Sequence, residues 1–266
     1  MSKMFVNGLN LNFRSTPHMV PGNIVGKLDL NQPVEVIGAP DANGWITASS
    51  TIDGAARQGF VAAGFLREPA APSVEALLAA ARREWRRFEH GRGEEHLDPF
   101  ADFVGEMWNA IGEDLDGRDR QVPWSAAAIS FMVRNAGSSH AAYRGFKFAQ
   151  AHSTFTHDAI KRRRANDGTA PFWGFRRSER APQLGDIVVK PRAGSGATFE
   201  LAERTAQFAS HSDIVVAVDS PGFRIITIGG NVGHSVDITT YALGPDDFLT
   251  NGSGVFAVLA NRTHEM

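Results

Sequence analysis

The sequence predicts a two-domain fold, a small all-β domain followed by an α+β domain. Three observations predict it. Short alternating apolar runs are broken by turn residues as far as Leu66; apolar stripes of helical period lie between Val74 and Ala136; strand-like runs occur from Gly185 to Leu259. A chain of 266 residues can bury one large or two modest cores. The net charge of -2 and pI of about 6.5 carry no footprint of a nucleic-acid binder. The chain has no cysteine, which excludes a disulfide framework, a thiolate zinc site and a thiol nucleophile.

In the first domain, Leu9, Leu11 and Phe13 alternate, Val34, Val36 and Ile37 form a further strand, and Gly44, Trp45 and Ile46 open another. Gly59, Phe60 and Val61 begin the last, and turns fall at Pro21–Gly22 and from Asp41 to Gly44. Residues 1–68 are assigned to this domain. Glu68 to Ser73 reads as a linker, with Ser73 as N-cap of a helix carrying Val74, Leu77, Leu78, Ala81, Trp85 and Phe88; linker and helix occupy residues 69–98. The α+β domain spans 99–266. It opens with Asp98 and Pro99 as cap and first turn of a second helix, from Phe100 to Ile111, stopped by Gly112.

A third helix follows the loop Val122, Pro123, Trp124, with Ala126, Ile129, Met132, Val133 and Ala136 on its apolar side and Gly137 as C-cap. Phe146 to Ala181 reads as a short helix and a long loop holding His152, His157, the basic run Lys161 to Arg164 and the aromatics Phe172, Trp173 and Phe175. Strands are expected at Gly185 to Lys190, Ser212 to Val218, Phe223 to Ile228 and Val255 to Leu259, in a small antiparallel sheet.

The chemistry centres on Ser125, at the start of the third helix. A helix N-terminus presents unpaired N–H groups and about half a positive charge, which favours a nucleophile's anion and a developing oxyanion. Serine is equally a common N-cap, so capping alone is the competing reading. An amide hydrolase also needs a base and a group that orients it. His211 opens one predicted strand and Asn231 follows the next, in the papain-like order of nucleophile, His and Asn.

Two resemblances sharpen this reading. Leu11 to Ser15, Gly26 and Leu28, Gly44 and Trp45, and Gly59 to Leu66 resemble a bacterial SH3 domain, implying an SH3-like barrel that tethers an enzyme to cell-wall peptide. Trp45 and Phe60 are its candidate wall-binding aromatics, or else simply part of a small core. Trp124 to Ala127 resembles the Trp-Cys-Ala-Ala segment of CHAP and NlpC-like peptidases and amidases; Leu184 to Val188 and His211 to Val215 resemble their Gly-Asp and His-bearing strands, and Gly229 to Asn231 completes the pattern. The region from about Trp85 to Val236 looks like a bacterial domain of unknown function allied to that superfamily. The resemblance implies a papain-like α+β fold acting on peptidoglycan stem peptide or another amide, and no cofactor. The function it implies is a cell-wall-directed peptidoglycan endopeptidase or amidase, like an endolysin or antibacterial effector.

The chain departs from that pattern in carrying serine where the family carries cysteine. A hydroxyl is far less acidic than a thiol and demands a better base. Serine triads use a carboxylate as third member, and replacing it by its amide costs on the order of 10⁴ in turnover. Asn231 is therefore a poor partner, and Asp213, two residues beyond His211 on the same strand face, or Asp186 is the candidate to orient the imidazole. Trp124 and His152 are candidate pocket residues. Three readings of Ser125 stay open: a working nucleophile, a peptide-binding groove that has lost catalysis, or the site of an exchange that removed a nucleophilic cysteine.

His140, His152, His157 and Asp158 lack metal-ligand spacing, so no metal site is expected. Lys161 to Arg164 with Arg176, Arg177 and Arg180 form a basic region, either a solvated loop or a surface for anionic wall polymer. Met1 to Asn10 shows no signal-peptide pattern and no window has the length of a membrane span. The expectation is a protein made in the cytoplasm, without a Sec signal, and delivered to the wall or periplasm by lysis or a dedicated secretion system. Its expected partners are peptidoglycan and an immunity or secretion protein.

Overall fold

The structure, a computed structural model, describes residues 1–266. The chain forms two compact units, Met1–Ala70 and Ala71–Met266. The first holds β1 (Ser2–Val6), β2 (Leu11–Arg14), β3 (Ile24–Leu28), β4 (Pro33–Ile37), β5 (Trp45–Ile52), β6 (Ala55–Ala62) and the two-residue β7 (Leu66–Arg67). They make one seven-stranded antiparallel sheet in the order β3-β2-β6-β5-β4-β1-β7. Period-2 alternation turns Val34 and Val36, then Ile46 and Ala48, into a core completed by Val6, Phe13, Leu28 and Val61. Trp45 and Phe60 lie outside that core and are half-buried. The Asp41 carboxylate accepts hydrogen bonds from the backbone N–H groups of Asn43 and Trp45, which fixes the turn leading to the Trp45 ring. The strand at Ser2–Val6, paired to β4 and β7, was not marked by turn signals, and the expected closing strand is broken after Ala62 by a single 3-10 turn, Ala63–Phe65.

The second unit is a mixed α+β structure with five helices, α1 (Pro72–Arg87), α2 (Phe100–Asn109), α3 (Ser125–Gly137), α4 (His152–Arg164) and α5 (Phe199–Arg204). Its strands β8 (Phe172–Arg176), β9 (Ile187–Pro191), β10 (Ser210–Asp219), β11 (Arg224–Val232), β12 (Ser235–Ala242) and β13 (Ala257–Asn261) form a six-stranded antiparallel sheet, ordered β12-β11-β10-β9-β13-β8. Residues 69–98 are not a separate connecting piece. The apolar side of α1, with Leu77, Leu78 and Trp85 buried, packs on α3 and the sheet, and each such side chain contributes about 1.5–3 kcal/mol of burial. Ser73 lies inside α1 rather than capping it, and its hydroxyl accepts from the Thr263 hydroxyl.

The segment from Phe146 to Ala181, expected as a short helix and a long loop, holds the 13-residue helix α4 and the edge strand β8. Phe155, Ala159 and Ile160 bury one side of α4 and outweigh its polar composition. The basic run falls on its last turn, where positive charge is favoured by the helix dipole and by ion pairs of Arg162 with Asp158 and Asp167, Arg163 with Glu179, and Arg164 with Glu203. Arg176 pairs with Glu200 and Glu203, and Arg180 with Asp186. Five of the arginines of the basic region thus make intramolecular ion pairs, Arg177 bonds the Leu249 carbonyl and the Asn251 side chain, and Lys161 is exposed.

α3 lies against β10 and β11, buried at Ala126 to Ser130, Met132, Val133 and Ala136. Its close approach depends on small residues on both sides: a Cβ at Gly230 would stand 2.3 Å from that of Ala128. The opposite sheet face carries a second cluster with Val188, Val215, Ile225, Tyr241 and Val258. β10 thus has two buried faces, and alternation along it decides which of its polar residues can meet α3.

Candidate functional site

Ser125 is the first residue of α3, 2% exposed, and makes no capping hydrogen bond. Its Oγ lies 2.6 Å from Nε2 of His152, the first residue of α4. The other ring nitrogen, Nδ1, lies 2.6 Å from the hydroxyl of Ser212 on β10. With the proton assigned to Nδ1, the imidazole donates to Ser212 and accepts from the Ser125 hydroxyl. The result is a buried chain, Ser125–His152–Ser212, assembled from the starts of two helices and one strand.

His211 takes a different partner. Its Nε2 meets Asp213 Oδ1 at 2.9 Å, and the Tyr241 hydroxyl donates to Asp213 Oδ2 at 2.7 Å. Strand alternation explains the separation. Asp213 shares a face with Gly229, where a Cβ would stand 1.8 Å from its Oδ1, whereas Gly230 faces α3. Ser212, one residue from Asp213, points to the helix side; His211 and Asp213 belong with Tyr241. The two imidazole rings are nevertheless 5.3 Å apart.

The electrostatics of the two chains differ as their partners do. Burial pushes the His152 imidazole well below its ordinary range; the positive charges of His211 and Arg192 add to this, against an opposing pull from Asp213. The N-terminus of α4 acts in the same direction. His152 is therefore neutral at pH 7, with a lone pair free to accept a proton. Asp213 is held below the usual carboxylate range despite its burial, through the charge and hydrogen bond of His211 and the Tyr241 hydroxyl. The Tyr241 phenol is correspondingly pushed up, first by burial and then by Asp213.

A cleft of about 330 Å³ adjoins Ser125 and His152. Val122, Pro123 and Ser125 line it with segments 150–152 and 208–210, and Trp108 and Arg192 complete its wall. The N–H groups in the first turn of α3 have no intrahelical acceptor, since the first such bond runs from Ala128 N–H to Trp124 C=O.

The other sequence-selected residues fall outside this chain. Asn231 sits in a β11 bulge with φ of 56°, half-buried, and makes no hydrogen bond through its side chain. Asp186 is buried behind the sheet's far end, accepting from the N–H groups of Asn261 and Gln183, and its pKa is pushed up to about 6 by burial against the pull of Arg180. Trp124 stacks on Phe88 and donates from Nε1 to Glu95 Oε2 at 2.5 Å, anchoring the backbone before Ser125 without lining the cleft. His157 meets the Ala202 carbonyl at 2.7 Å, and no group of three His, Asp or Glu side chains is arranged to hold a metal ion. Ser212 was missed because a lone serine within a strand-like run carries no sequence signal; its parity relative to Ser210 places both on one face, which becomes informative only once that face is known.

Residues 93–260 match a family described as "Uncharacterized protein conserved in bacteria (DUF2272)". The chain belongs to this family. The DUF2272 span contains α2, α3, α4 and all six strands of the second sheet save the last residue of β13, hence both histidine chains. Among solved structures, NlpC2 from Trichomonas vaginalis is similar to this DUF2272 chain at 11% identity and a TM-score of 0.31, over 98% of this chain and 73% of that one. No curated protein matches it. No helix is long and apolar enough to cross a membrane.

Proposed function

We propose that the second unit is an amide hydrolase in which Ser125 is the nucleophile and His152 the base. The observation that carries this reading is the 2.6 Å contact between Ser125 Oγ and His152 Nε2 at the start of a helix bordering a cleft. Ser125 Oγ attacks the amide carbonyl carbon while Nε2 takes the hydroxyl proton. The oxyanion faces the unpaired N–H groups at the start of α3, such as those of Ser125 and Ala126. The imidazolium then protonates the leaving amine nitrogen, the C–N bond breaks, and water hydrolyses the Ser125 ester by the reverse proton path. Ser212 holds Nδ1 throughout. The substrate class, peptidoglycan stem peptide, rests on the resemblance of segments around Trp124, Asp186 and His211 to NlpC-like and CHAP enzymes. The first unit, with Trp45 and Phe60 half-buried, acts as an SH3-like wall-targeting domain.

Two observations favour a second reading, a peptide-binding groove without turnover. His152 is oriented by a hydroxyl rather than a carboxylate, and its imidazolium is disfavoured by burial and nearby positive charge. Both weaken it as a base for an unactivated serine.

Incubation of purified peptidoglycan with the chain, with Ser125→Cys and with Ser125→Ala, followed by mass spectrometry of released fragments, tests the two. Release by the chain that disappears in Ser125→Ala is the expected result. Release by Ser125→Cys alone supports the hydrolase fold with an inert serine. An unchanged fragment profile from all three, alongside saturable binding to the same wall preparation, establishes the groove.

A further inference from the structure

The cleft beside Ser125 carries more hydrogen-bond donors than the proposed chemistry uses. Trp108 is 1% exposed, and its indole Nε1–H has no acceptor. Ser210, 6% exposed, likewise has a hydroxyl without a partner. Both residues line the cleft. Buried polar groups are ordinarily paired, so two orphans on one cavity wall mark the place where a ligand's atoms complete the bonding. The indole is a donor only, so its missing partner must be an acceptor.

The cleft's charge specifies that acceptor further. Arg192, just beyond β9, is exposed on the cleft wall and makes no ion pair or side-chain hydrogen bond, unlike Arg162, Arg163, Arg164, Arg176 and Arg180. Its backbone is pinned, with the N–H donating to the Ala209 carbonyl at 3.2 Å next to Ser210. No Asp or Glu lines the cavity. A volume of about 330 Å³ is at the small end of ligand pockets and suits a compact group.

We propose that this cleft binds a carboxylate of the substrate, paired with the Arg192 guanidinium and accepting from Trp108 Nε1–H and the Ser210 hydroxyl. An acceptor-only anion with several lone pairs suits this donor set, and the planar guanidinium fork suits a carboxylate. The inference deepens the hydrolase reading and rests on it for one point only. If Ser125 attacks an amide there, that amide belongs to a peptide with a free carboxylate close to the scissile bond. Arg192 also lowers the basicity of His152. A carboxylate set against Arg192 offsets that charge, so the proper substrate improves the base that acts on it.

The test uses the full chain carrying Ser125→Ala, so that no turnover intervenes. N-acetyl-alanyl-alanine, in L,L and D,D forms, and the matching C-terminal amides are titrated by calorimetry, with the Trp108 indole N–H followed by NMR and assigned through Trp108→Phe. At least one acid is expected to bind about tenfold more tightly than its amide and to shift the Trp108 signal; Arg192→Ala removes that preference while leaving amide binding unchanged. Arg192 is exposed, so its replacement leaves the fold intact. Equal binding of acid and amide, absence of binding by every probe, or an acid preference that survives Arg192→Ala overturns the proposal. Because the nucleophile is absent throughout, these outcomes stand apart from whether Ser125 hydrolyses anything; fragment release from peptidoglycan with no acid preference overturns the carboxylate site alone.

Discussion

Two histidines 5.3 Å apart are held in opposite ways. His152 has access: its Nε2 is on Ser125 and its ring borders the cleft, but only the Ser212 hydroxyl supports it from behind. His211 has the carboxylate: Asp213 and, through it, Tyr241 back the ring as in a serine triad, yet no bond joins it to Ser125. The difference teaches that a buried carboxylate beside a histidine is not by itself a catalytic signature. Here it fills the polar need of one sheet face, while the reactive geometry forms on the other.

Exchanging each imidazole for a methyl group gives the largest expected effect. His152→Ala lowers fragment release from peptidoglycan by at least about 10³-fold, as loss of a general base does, whereas His211→Ala stays within about tenfold of the parent. The opposite pattern, measured on folded protein, transfers the base to His211 and breaks the comparison. Stability is expected to order the two variants the other way. His211→Ala leaves the Asp213 carboxylate buried without its charge partner and costs about 3 kcal/mol by denaturant titration, more than His152→Ala, which removes a neutral ring. Gly229→Ala sharpens the same point, since its methyl group would occupy the space of Asp213 Oδ1 and costs about 1–3 kcal/mol. A His211→Ala loss below that of His152→Ala would mean that Asp213 is not a buried carboxylate held by His211.

The smallest effect is a titration. The unfolded chain protonates His152 near its ordinary 6.5, the native ring only at lower pH, so unfolding takes up a proton in that interval. Stability therefore falls as pH drops through 6.5 on account of His152, and His152→Gln removes that part of the slope. Asp186, raised to about 6 from 3.8, has the opposite sign: the native carboxyl binds its proton first, and its contribution declines as pH rises through that interval. Arg192→Ala raises the His152 midpoint in a ring-proton NMR titration, because a positive charge that disfavours the imidazolium is gone. A midpoint unmoved by that change would place Arg192 too far from the ring to matter.

Much of this was legible along the chain. The helical stripe from Val74 to Phe88, the Ala-rich α3 and four of the six strands of the second sheet follow from apolar spacing, because each element buries one face whatever its neighbours are. Ser125 was legible as the residue at a helix start. β8 and β12 were not, and α4 was legible only as a short helix without bounds, since it carries four consecutive basic residues and is stabilised by packing of Phe155, Ala159 and Ile160 rather than by an obvious apolar stripe.

The sequence by itself determined that the chain alternates between sheet and helix in two units, that a hydroxyl stands where a thiol would be expected, and that no thiol chemistry is available. Only the tertiary structure decided which histidine meets that hydroxyl. Ser212, His211 and Asp213 are adjacent in sequence, but a strand sends consecutive side chains to opposite faces. The face that meets α3 is set by where Gly229 and Gly230 let the carboxylate and the helix fit. That assignment is a property of packing across the sheet, and no local pattern records it.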